Sequence, residues 1–138
     1  MRFAWLPSDF NPMLLILGDG PQLDVLADGL ERWALSPAEV TLEALVTGCA
    51  SPSGTRVALE GVDGRPAGLR RVAGGFAWRL DAATARGHAA LLRALAASTR
   101  HSGSAMLGPE APDEARGLPV KVSRGEYLDE VLERGSAA

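Results

Sequence analysis

The sequence predicts an α+β domain: an antiparallel β-meander sheet of four strands lies between two amphipathic helices that pack on one of its faces, in the order β-α-β-β-β-β-α-β-α. Three observations predict it. Apolar residues recur at helical spacing over 23–34 and again over 85–96. Between these stretches, four alternating runs are separated by Gly, Pro and Asp turn signals. The chain has 138 residues, 46% of them hydrophobic and 22% charged, which suits a single domain spanning 1–138.

The N-terminal arm, 1–12, holds Phe3-Ala4-Trp5-Leu6 before Pro7, a short edge strand or wrapped arm with Phe3 and Trp5 on one side. Met13–Leu17 is a continuous apolar run, as a buried central strand requires. Gly18-Asp19-Gly20 turns the chain into a helix with Pro21 in its first turn. Leu23, Leu26, Ala27, Leu30, Trp33 and Ala34 form its inner stripe, and Ser36-Pro37 stops it. The meander strands are Val40–Val46, Arg56–Val62, Leu69–Val72 and Phe76–Leu80, with Asp63-Gly64 and Gly74-Gly75 as hairpin turns. Asp81 caps a second helix running to about Thr99, with Ala85, Ala89, Leu92, Leu95 and Ala96 inward. Arg86, Arg93 and Arg100 make a basic ridge on another face of it. An additional strand is placed at Ser104–Leu107 and the last at Leu118–Val122. Ser123-Arg124-Gly125-Glu126 reads as a capping box for a short helix carrying Leu128, Val131 and Leu132, and 136–138 is a frayed tail.

Bulk properties exclude several classes. A net charge of −3 and a pI near 5.4 argue against nucleic-acid binding. No apolar run is long enough for a membrane span, and Met1–Trp5 lacks the h-region of a signal peptide, so a cytoplasmic location is expected. Lys121 is the only Lys, and the Arg-, Ala- and Gly-rich composition is that of a GC-rich bacterial genome. Cys49 is the only Cys, so neither a disulfide within the chain nor a Cys-based metal site can form.

Candidate chemistry is sparse. Gly18-Asp19-Gly20 sits where phosphate loops sit, but Asp19 would repel a phosphate and neither phosphate-binding fingerprint is present, so it reads as a turn. His88 and His101 are too far apart to share a metal on one helix face, and neither has a nucleophile–base context. Neither a catalytic group, a metal site nor a cofactor is predicted. The outward residues of the meander carry more information. Glu43, Arg56, Glu60 and Arg79 share one face with Thr41 and with Arg70 or Arg71, and with Trp5 they are the predicted partner-binding residues. The alternative is cross-strand ion pairing on a solvated face.

Leu14-Leu15-Ile16-Leu17-Gly18-Asp19 followed by a Leu-rich helix, and the closing Val120-Lys121-Val122-Ser123-Arg124-Gly125-Glu126-Tyr127, resemble small uncharacterised bacterial proteins. In size and layout the chain is similar to immunity proteins of polymorphic toxin systems. That resemblance implies a non-catalytic binder that neutralises a protein partner by occupying it, and it carries no functional residue onto a position here. The function expected is therefore a cytoplasmic protein-binding or inhibitor module. The competing expectation is a small enzyme or ligand-binding domain that uses Glu43, Glu60 and Arg79, or His88. A third is a homodimer through an unpaired edge strand.

Overall fold

The computed structural model describes residues 1–7, 11–99 and 102–125. In chain order these form β1 (Arg2–Leu6), β2 (Met13–Leu17), α1 (Gly20–Leu35), β3 (Val40–Thr41), α2 (Leu42–Leu45), β4 (Val57–Gly61), β5 (Gly68–Val72), β6 (Gly75–Leu80), α3 (Ala82–Ala96), β7 (Gly103–Met106) and β8 (Val120–Arg124). The α+β class is as expected, but the strands divide between two sheets, with orders β1-β2-β8-β7 and β3-β4-β6-β5. Arg100, His101 and the helix expected over Leu128, Val131 and Leu132 lie outside the described residues.

The first sheet is built from segments far apart in sequence, 2–17 and 103–124. β2 pairs antiparallel with β1 and parallel with β8, and β8 pairs antiparallel with β7. The unbroken apolar run of β2 explains its central place: all five residues are buried, as a strand covered on both faces demands. Phe3, Trp5, Leu14, Ile16, Val120 and Val122 point into the main core, while Ala4, Leu15 and Leu17 form a separate cluster on the opposite face. α1 and α3 pack against each other over the main core. Their inner residues are those that helical spacing selects, including Leu23, Leu26, Leu30, Ala85, Ala89 and Leu92. Asp19 caps α1 with a reciprocal capping box to Gln22, and Asp81 caps α3 through the Thr84 N–H, so both turns serve as caps. Arg124 of β8 donates to the carbonyls of Leu95, Ala96 and Ser98, placing a cation on the orphan acceptors at the end of α3.

The second sheet lies between the helices in sequence, where the meander was expected, but it is not a meander. β4 pairs parallel with β6, and β5 lies on the far side of β6. Asp63-Gly64 does form a tight turn, with Arg65 N–H donating to the Val62 carbonyl and φ positive at both residues. The chain then continues past Pro66 without folding back along β4. Side-chain character accounts for the order. β6 offers Phe76, Trp78 and Leu80 to the core and has Ala77 buried on its other face, so it suits the centre. β5 carries Arg70 and Arg71, which suit an edge. The predicted strand Val40–Val46 also shortens, to Val40–Thr41. Thr41 accepts from the Ala44 N–H and starts the one-turn α2, so the alternation in this run belongs partly to a capped helical turn. Glu43 thereby leaves the sheet for its rim.

The two sheets share the main core. Trp5 of β1 meets Phe76 of β6 with ring centroids 4.8 Å apart, and Val57, Leu59, Leu69, Trp78 and Leu80 complete the inner face of the second sheet. No helix among the described residues is long and apolar enough to cross a membrane.

Candidate partner-binding groove

The register fixes which side chains face outward from the second sheet. Thr41, Ala58, Ala77 and Arg70 form one row across it, and Glu60 and Arg79 are neighbours in another. Arg70 rather than Arg71 therefore belongs to the outer face. Over β4 and β6 the outer surface is hollowed into a groove of about 520 Å³. Its lining includes Ala58, Gly75 and Ala77, small residues that leave the strands uncovered, with Glu39, Thr41 and Glu43 contributed by the β3–α2 segment and Arg56 by the segment entering β4.

Three of the predicted residues, Glu43, Arg56 and Glu60, line this groove together. Arg79 is bound to it through Glu60: its Nε donates to Oε1 at 3.2 Å, with both side chains mostly buried. Arg65 reaches the same carboxylate oxygen at 3.2 Å. The Glu60–Arg79 pair is thus the cross-strand ion pair of the alternative reading. Glu39, Glu43 and Arg56 are exposed and make no ion pair among the described residues. Trp5 does not join them. It is 6% exposed, its backbone N–H donates to Thr55 Oγ1, and its buried indole N–H has no acceptor among the described residues. The Arg71 guanidinium lies 4.9 Å from the Trp5 ring and 5.3 Å from that of Phe76, so the surface above Trp5 is cationic.

Sequence reasoning missed Glu39. It lies two residues before Thr41 and so shares its side of an extended segment. Ala58 and Ala77 alternate with core residues along their strands and so face outward, but a recess depends on the strands beside them, which the sequence does not announce.

His88 occupies a second cleft, of about 420 Å³, where α3, β6 and the segment 106–118 meet. Its ring stacks on Trp78 at 5.9 Å between centroids, and burial pulls its pKa down to about 4, a shift only partly opposed by Asp81. The imidazole is neutral at pH 7. Cys49 is buried, and desolvation pushes its thiol up to about 11, so it is protonated and unreactive at pH 7. Among the described residues, no group of three His, Cys, Asp or Glu side chains could hold a metal ion.

No protein-family model, curated protein or solved structure matches the chain.

Proposed function

We propose that this chain is a non-catalytic protein-binding or inhibitor module, immunity-like in acting by occupation, and that its partner seats in the groove over β4 and β6. The observation that carries this reading is the grouping of Glu43, Arg56 and Glu60 along one recess whose lining includes Ala58, Gly75 and Ala77. Such small residues let a partner's backbone or side chains approach the strands closely. Glu39 and Glu43 supply carboxylates with no ion pair among the described residues, so the partner is one that presents Lys or Arg at this rim. An enzymatic use of the same face has less support, because Arg79, the group that would hold an anionic substrate, already donates to Glu60.

The test is copurification with the product of the adjacent gene, followed by measurement of affinity. The reading predicts a complex of defined stoichiometry. Reversing both rim charges, with Glu39→Lys and Glu43→Lys, should weaken it by about tenfold or more, through like-charge repulsion at the contact. Failure of the adjacent product to bind, or equal binding by the charge-reversed protein, would contradict the assignment.

A further inference from the structure

The cleft at His88 lies apart from the groove and has its own chemistry. Among its lining side chains, three carry formal charge: Arg79, Asp81 and Arg116. Two of these are engaged inside the protein. Arg79 donates to Glu60, and Asp81 accepts the Thr84 N–H at 2.6 Å as the cap of α3. Arg116 has no side-chain hydrogen bond or ion pair among the described residues. It is nonetheless held in place by its backbone. Asp113 Oδ1 accepts from the N–H groups of Ala115 and Arg116, and Asp113 and Gly117 exchange backbone hydrogen bonds.

This turn is fastened to the second sheet. Arg70 donates to the carbonyls of Glu114 and Ala115, and Leu118 N–H donates to the Leu69 carbonyl. Gly68 allows the close approach: a Cβ there would collide with the Arg116 carbonyl oxygen. Facing this clamped turn is α3, which contributes His88, whose imidazole makes no hydrogen bond among the described residues, and Leu91, 48% exposed. Met106 and Leu118 add further apolar lining. The cleft therefore combines an uncommitted cation, an uncommitted imidazole and an apolar wall on a preformed frame.

We infer that this cleft binds a small organic carboxylate with an apolar body, its carboxylate on Arg116 and His88 and its body against Leu91, Met106 and Leu118. The neutral imidazole offers one N–H donor to the anion. The guanidinium supplies the charge-assisted hydrogen bonds that set the preference for an anion over a neutral ligand.

The experiment follows the imidazole proton and carbon resonances of His88 while three probes are titrated into the whole protein: phenylacetate, phenylacetamide of the same shape without the charge, and acetate without the ring. Phenylacetate should shift His88 saturably with a dissociation constant below about 1 mM, and the other two should bind about tenfold more weakly. Arg116→Gln, at an exposed site, should weaken phenylacetate by about tenfold and leave the thermal midpoint unchanged. Leu91→Asn, also exposed and without added charge, should weaken phenylacetate but not acetate. The inference is overturned if none of the probes shifts His88 saturably, if phenylacetamide binds as well as phenylacetate, or if Arg116→Gln binds phenylacetate as the native protein does.

Discussion

Cys49 is 7% exposed, and its removal from water pushes the thiol pKa up to about 11. A thiol so rarely ionised reacts slowly. Native protein at pH 7.5 should therefore resist iodoacetamide for hours and label promptly once unfolded, which mass spectrometry can follow; rapid labelling of the native state would contradict the burial. His88 gives the opposite kind of handle. Its folded pKa, about 4, lies below its ordinary value of 6.5, so the unfolded chain binds the proton more readily between those two values. Stability should be unaffected by this group above pH 6.5, fall as the pH drops toward 4, and level off below it. The loss amounts to at most about 3 kcal/mol. Denaturant titrations of the native protein and of His88→Asn should diverge in that window, the variant having the flatter pH dependence. Helical spacing puts His88 beside the inner stripe of α3, but its stacking on Trp78 depends on how α3 lies against β6, which spacing along one helix does not show.

Turn chemistry and periodicity made most of the elements legible. Asp19 and Asp81 were recognisable as caps because the helix N-terminus needs a side-chain acceptor, and the apolar stripes of α1 and α3 are buried as their spacing requires. Pairing was less legible. Asp63-Gly64 makes its turn, but a turn signal is local and does not tell which strand the chain meets next. The two arginines of β5 and the apolar β6 favour inserting β6 beside β4, a comparison between strands that a residue-by-residue reading does not make. The same comparison explains the anchoring of 113–118 to β5. Gly68 has φ near +91° and Gly117 near +92°, and a Cβ at either would collide with backbone. Gly68→Ala should cost about 1–3 kcal/mol, from the disfavoured φ and the lost contact with the Arg116 carbonyl. Arg70→Ala should raise amide exchange across 113–117 without unfolding the protein. Unchanged exchange there would show that Arg70 does not hold the turn.

For the described molecule as a whole, segments 2–17 and 103–124 form one sheet with β2 and β8 at its centre, and strands between them in sequence form the other. Each sheet joins two antiparallel pairs through a parallel central pair, β2 with β8 and β4 with β6. The sequence reading merged all strands into one layer because hydrophobic alternation identifies a buried face but not the sheet to which it belongs. The outward set Glu43, Arg56 and Glu60 was nevertheless found, since alternation along β4 and the charge of the β3–α2 segment are local properties. The groove that unites them is not local, for it arises where the sheet, the α2 rim and the β5–β6 turn meet. Whether a partner seats there is read by hydrogen–deuterium exchange of the protein with and without the purified product of the adjacent gene. Slowed exchange is expected mainly at 39–43, 56–60 and 72–77. Protection centred on 106–118 and α3 instead, or no change in the groove when the complex forms, would contradict a partner site there.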